Sequence, residues 1–97
     1  MITLRIEHPI TDFDTWRAAF DRFADMRSRS GVREHTIWQP VDDPAYVLID
    51  LDFDTVDHAR SFETFLRTRV WAVPANSPAL VGTPITRILQ VHDTWHP

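Results

Sequence analysis

Cysteine is missing from the 97 residues, which removes disulfides, thiolate nucleophiles and Cys-ligated zinc or iron–sulfur centres from the chemistry available. Lysine is missing too: all ten basic residues are arginine, so no Schiff base can form on a side chain. The two glycines, Gly31 and Gly82, are too few for a glycine-rich phosphate loop, which disfavours nucleotide cofactors. No apolar run approaches the roughly 18 residues of a membrane span, and no signal-peptide pattern precedes the first strand-like segment. The formal net charge of -4 leaves no basic field of the kind that draws nucleic acid or acidic lipid. These absences lead us to expect a cytoplasmic protein with no nucleic-acid or membrane partner and no cofactor, although histidine alone leaves haem open.

What is present is apolar and aromatic. Hydrophobic residues make up 43% of the chain and aromatics 11%, enough for one core in a single domain over residues 1–97, with oligomerisation a natural supplement at this size. The densest helical pattern runs from Thr11 to Gly31. At 100° per residue, Phe13, Trp16, Phe20, Phe23 and Ala24 fall in one arc while Asp14, Asp21, Asp25 and Arg22 point elsewhere. Thr11 with Asp14 resembles a capping box, and Gly31 ends the helix.

Strand patterns flank it. Ile2, Leu4, Ile6 and His8 alternate with Thr3, Arg5 and Glu7. Val32 to Gln39 makes a second strand whose facing is ambiguous, and Pro40 to Pro44 turns the chain into a third, Tyr46 to Phe53, with Val47, Ile49, Leu51 and Phe53 on one side. Asp54 or Thr55 caps a second helix carrying Ala59, Phe62, Leu66, Val70 and Val73 until Pro74 stops it. By the same rotation Phe65 and Trp71 lie roughly 100° and 140° from Leu66, off that stripe, so their exposure needs a reason: a dimer contact, packing by the next loop, or a cleft mouth. The segment from Pro74 to Pro84 is long for a loop in a small domain and is a candidate lid or binding loop. Ile85 to His92 or beyond forms the last strand.

The order β-α-β-β-α-β is the split β-α-β pattern: an α+β, ferredoxin-like fold in which right-handed crossovers put both helices on one face of a four-stranded antiparallel sheet. We expect the first and third strands at its centre, running parallel, and a partner sheet over the far face, where Arg5, Glu7, Asp50, Asp52 and His35 gather.

The opening strand into His8, Asp12-Phe13-Asp14-x-Trp16-x-x-x-Phe20, Gly31-Val32, Asp43-Pro44-x-x-Val47, Phe53-Asp54 into Ala59-x-x-Phe62, and Gly82-x-Pro84 resemble the dimeric α/β-barrel superfamily over nearly the whole chain. These are ferredoxin-like domains that include antibiotic-biosynthesis-monooxygenase-like proteins, stress-responsive barrel proteins and small polyketide cyclases. The likeness is strongest to short bacterial members without an assigned activity. It implies a homodimer paired sheet to sheet and a cleft between sheet and helices that holds an aromatic or polyketide-like molecule, often without metal or flavin. No catalytic motif of that superfamily transfers position by position.

His8 extends the inward row of the first strand towards Trp16. It is either a general base on a phenol or acidic carbon, or a strand-end histidine bonded to the following turn. Arg27 lies one turn beyond Phe23 on the apolar arc, either an anchor for a carboxylate or enolate or a stem packed on the core with its head in water. Trp16, Phe20, Phe23, Trp38 and Phe62 are the expected ligand-binding wall, or else filled core. The polar residues of the far face are a proton-transfer cluster or paired interface charges. Five His and eleven Asp offer metal ligands, yet no local chelate spacing occurs, and we expect no metal. No strand-turn-helix serine elbow is present. Two functions follow: a cofactor-independent monooxygenase- or cyclase-like enzyme with His8 and Arg27 as catalytic groups, or a non-catalytic homodimeric binding or structural module. A hollow between sheet and helices into which His8 or Arg27 opens separates the first from the second.

Overall fold

Side chains leave a strand on alternate sides, so one register fixes two faces at once. In the computed structural model, which describes Met1 to Pro97, β1 (Ile2–Pro9) pairs antiparallel with β3 (Tyr46–Phe53). Leu4 stands opposite Leu51, Ile6 opposite Ile49 and His8 opposite Val47. β2 (Glu34–Trp38) borders β3 and β4 (Ile85–Gln90) borders β1, giving the order β2-β3-β1-β4 with every neighbouring pair antiparallel. The first and third strands are central, as expected, but they run antiparallel rather than parallel. It is the return strand of the β2–β3 hairpin that inserts beside β1, and β1 runs parallel to β2 across it.

The helices cover the face of Leu4, Ile6, Val47, Ile49, Leu51 and Phe53, where Trp16, Ala59 and Phe62 join a single buried cluster. Both helical segments thus lie on one side of the sheet. α1 (Phe13–Arg22) is capped by Asp12, whose carboxylate accepts the Thr15 N–H at 2.8 Å. The expected Thr11–Asp14 box is displaced by this residue, which is already extended at φ -158 and sits one position nearer the first turn. The helix breaks at Phe23 and restarts as α2 (Ala24–Arg29). It ends on Gly31 at φ +92, with Gly31 N–H to the Ser28 carbonyl at 3.3 Å and Val32 N–H to the Arg27 carbonyl at 3.1 Å. That pair of bonds is a Schellman ending, and it holds Arg27 a few residues from the start of β2.

α3 (Val56–Phe65) starts on Thr55, whose hydroxyl accepts the His58 N–H at 3.2 Å. It does not continue as a regular helix to Pro74. Residues Leu66–Val70 form a π turn closed by the Trp71 N–H on the Leu66 carbonyl at 2.7 Å. The i→i+5 bond brings Trp71 round to the side of Leu66, so the expected exposure of Trp71 does not arise. Phe65 is half-buried as well, with its ring 5.6 Å from that of Phe62 and 6.3 Å from that of Phe23.

On the far face Arg5 grips Asp50 through two bonds of 2.8 Å, Thr3 donates to Asp52 at 2.6 Å, Tyr46 donates to Glu7 at 2.8 Å and Trp38 Nε1 donates to Asp50 at 3.1 Å. The Arg5 bonds hold the Asp50 carboxyl below the usual carboxylate range. His35 is not in this cluster. Its register opposite Leu51 puts it on the helix side, where its ring meets Phe20 edge-on at 5.2 Å.

The helix-facing row sets stability. Leu51→Ala should lower the free energy of unfolding by about 2–5 kcal/mol, whereas Val41→Ala, on the exposed hairpin turn, should change it by less than about 0.5 kcal/mol. Urea denaturation of the two variants checks both.

Candidate functional site: a cavity between sheet and helices

The sheet and helices do not close completely. Between them lies a cavity of about 80 Å³, measured by where the centre of a water molecule can go, inside about 640 Å³ of non-atom space that includes its mouth. Ile6, Ile49 and Leu51 form its floor; Trp16, Phe20, Phe23 and Phe62 stand over it. Trp16 and Phe20, four residues apart on α1, stack with centroids 5.0 Å apart. The third side is the π turn, through Leu66, Val70 and Trp71. Asn76, Ser77, Ala79 and Leu80 complete the lining from the Pro74–Pro84 segment. That segment is a fixed wall here rather than a free loop. Ile10 and Leu80 form a bridge, Thr11 N–H bonds the Ala79 carbonyl at 3.0 Å, Arg22 donates to the Ala75 carbonyl at 3.1 Å and the Asn76 amide to the Arg69 carbonyl at 2.7 Å.

Two charged or titratable groups open onto this apolar space. His8, 3% exposed, lies within hydrogen-bond distance of the Pro9 carbonyl through Nδ1 at 2.8 Å. A carbonyl only accepts, so Nδ1 carries the proton and Nε2 keeps its lone pair. Nε2 has no protein partner, yet no buried side-chain nitrogen or oxygen lacks one, so Nε2 must reach open space. Burial pushes the His8 pKa below 6.5, against a weaker upward pull from the Pro9 bond, and the ring is neutral at pH 7.

Arg27 is 7% exposed. One Nη donates to the Phe20 carbonyl, and the guanidinium carbon sits 3.6 Å from the centroid of the Phe20 ring, a cation–π contact. It belongs to no ion pair; those of the molecule are Arg5–Asp50, Arg17–Asp21, Arg33–Asp54 and Arg67–Glu63. Burial lowers its pKa, countered in part by the charge of Asp21, but an arginine stays protonated in a protein. The floor, the aromatic wall, a hydrogen-bond acceptor and a cation thus meet in one hollow.

Of the residues expected at the site, His8, Arg27, Trp16, Phe20, Phe23 and Phe62 line the cavity. Trp38 does not. Its register opposite Leu48 turns it to the far face, 52% exposed, where it bonds Asp50. Trp71, for which a cleft mouth was one of three readings, lines the cavity by way of the π turn, and with it stand Asn76, Ser77, Ala79 and Leu80 of the segment that loop length alone had marked. No group of three or more His, Asp or Glu side chains is placed to share a metal ion.

No protein-family model matches the sequence, and none of the curated proteins does. Solved structures do match in shape. SnoaB, a cofactor-independent oxygenase from Streptomyces nogalater, superposes with a TM-score of 0.71 at 15% identity, over 96% of this chain and 94% of its own. A putative antibiotic biosynthesis monooxygenase from Nitrosomonas europaea gives 0.71 at 13% identity, over 96% of this chain and all of the other. A dimeric ferredoxin-like protein from an uncultured marine organism gives 0.63 at 8% identity over the full length of both. The chain therefore has the ferredoxin-like α+β fold of these proteins. Identities this low carry the fold and leave the chemistry to the site itself.

The titration of His8 has a consequence for stability. Its folded pKa lies below the unfolded 6.5, so as pH falls through 6.5 the unfolded chain takes up a proton that the folded one refuses. Stability therefore falls with pH in the window between 6.5 and the folded pKa, and is unaffected by this group above it. His35, also shifted down by desolvation first and by Arg27 and Arg17 next, adds to the same slope. Urea unfolding at pH 7.5 and 5.5 should show the loss, His8→Gln should reduce it, and NMR titration should place the His8 midpoint below 6.5.

Proposed function

We propose that the chain is a homodimeric, cofactor-independent enzyme of the monooxygenase or cyclase type, working in the cytoplasm on a small aromatic or polyketide-like molecule held between sheet and helices. The observation that carries the reading is the pairing of an unbonded His8 Nε2 and an ion-pair-free Arg27 on one apolar cavity. A planar ring finds Trp16, Phe20 and Phe62 to lie against. His8, neutral because it is buried, accepts the proton of a phenol or acidic C–H at Nε2 and passes to imidazolium while the ligand becomes the phenolate or enolate. Arg27 is the partner of negative charge on the same apolar cavity. In an oxygenase this delocalised anion passes one electron to dioxygen and the radical pair joins at carbon as a peroxide, which takes back the proton held by His8 and loses water to leave one oxygen atom as a carbonyl; in a cyclase the carbanion attacks an internal carbonyl and the resulting alkoxide takes that proton. SnoaB, of like fold, is described as an oxygenase that needs no cofactor, which supports the class of chemistry.

Dimerisation uses the open sheet face, where Trp38 and Ile85 are half exposed beside charges that are already paired within the chain. One similar structure is itself a dimer. Sedimentation should give twice the chain mass at micromolar concentration, and a monomer there would remove this part of the reading.

A panel of phenols, naphthols and quinones should quench tryptophan fluorescence saturably, since Trp16 and Trp71 border the cavity. Turnover of any binder that reacts should fall at least about 100-fold in His8→Ala, with the sedimentation profile unchanged. Saturable binding without turnover would favour a ligand-binding module, and wild-type turnover in the variant would rule out His8 as the base.

A further inference from the structure

The cavity is asymmetric in charge. His8 is neutral and no carboxylate bonds Arg27, so the guanidinium brings to the hollow a positive charge that no lining carboxylate answers; Asp21, which acts on Arg27 without bonding it, is itself paired with Arg17. Removing one partner from a buried ion pair is strongly destabilising, so a site that stands in that condition at rest is built to receive the missing half. The guanidinium is also only partly engaged: one Nη is spent on the Phe20 carbonyl, and no protein acceptor bonds Nε or the other Nη. That free edge is the fork that carboxylates fit with two parallel bonds. The Phe20 ring beneath the guanidinium and the Schellman ending of α2 fix where the fork sits.

We infer that the ligand is a single-ring hydroxy acid, whose carboxylate pairs with the free edge of Arg27 while its acidic hydroxyl meets Nε2 of His8. The inference rests on the functional reading above and narrows it. The lining points the same way, because Trp16, Phe20 and Phe62 offer faces for a ring beside both polar groups. Charge balance does so too. A carboxylate brings the hollow to neutrality when it binds, and proton transfer from the hydroxyl to His8 then creates one positive and one negative charge inside it. The net charge stays at zero throughout. A neutral phenol would leave an unbalanced cation before and after the same transfer.

Isothermal titration at pH 7.5 with 3- and 4-hydroxybenzoate, the two matching hydroxybenzamides, benzoate and phenol tests this. The acids should bind at least about tenfold more tightly than their amides, the margin of a charge-assisted pair over a neutral one. That ratio should shrink to within about twofold in Arg27→Gln, recover in part in Arg27→Lys, and survive in His8→Ala. Amides that bind the wild-type protein as well as the acids would overturn the inference without any variant, which keeps the test decisive should Arg27→Gln fail to fold. An unchanged ratio in a folded Arg27→Gln protein would overturn it as well. If phenol binds and the acids gain nothing, only this inference fails; if no aromatic compound binds, the functional reading fails and takes the inference with it.

Discussion

Because side chains alternate along a strand, pairing Ile6 with Ile49 and His8 with Val47 commits both central strands to one apolar face, and every helix must then cover that face. A slip of β1 by one residue would turn Arg5 and Glu7 under the helices and bring Leu4 and Ile6 out to the other face. The register is held from both sides: by Leu4, Val47, Leu51 and Phe53 with almost no exposure beneath the helices, and by the Arg5–Asp50 and Thr3–Asp52 bonds on the other face. His8 is the last member of the apolar row, so the same constraint that builds the core delivers an imidazole to its end.

The cavity follows from where the helices fail to be regular. α1 breaks at Phe23 and α3 passes into a π turn at Leu66, and both irregularities border the hollow. An uninterrupted helix after Phe65 would carry Trp71 away from Leu66; the wider turn returns it to the wall. The break at Phe23 lets α2 present Arg27 back over the Phe20 ring. A cation on an apolar cavity costs free energy unless something answers its charge, and here the groups in contact with it are only a carbonyl and an aromatic face, with Asp21 acting without a bond. Local departures from regular structure thus bring Arg27 and Trp71 to the hollow, while the regular alternation of β1 brings His8.

This division explains what was legible in the sequence. Strict alternation announced β1 and β3, the 3.6-residue period announced α1 and most of α3, and Gly31 marked an end that only a residue tolerant of positive φ can make. His8, Arg27 and the aromatic arc could be placed near one another because each extends such a pattern. β2 was harder: apolar residues fall on both of its faces, Val32 and Trp38 on one and Ile37 on the other, and only pairing with β3 shows that Ile37 and His35 look towards the helices and Trp38 away. The π turn has no periodic signature at all, since it is one extra residue in one turn, and three readings of Trp71 stayed open for that reason. The wall from Asn76 to Leu80 depends on the bond of Ala79 to Thr11 and the bridge of Leu80 to Ile10, far away in sequence and invisible in it.

The central claim is that the space between sheet and helices is the working site, with the proton acceptor at one part of its wall and the cation at another. A crystal structure of the protein grown with 4-hydroxybenzoate tests it most directly. The account predicts the ring between the α1 aromatics and the floor of Ile6, Ile49 and Leu51, with its hydroxyl within hydrogen-bond distance of His8 Nε2 and its carboxylate on Arg27. A cavity filled by the protein's own side chains, or the compound seated elsewhere with His8 and Arg27 untouched, would contradict it.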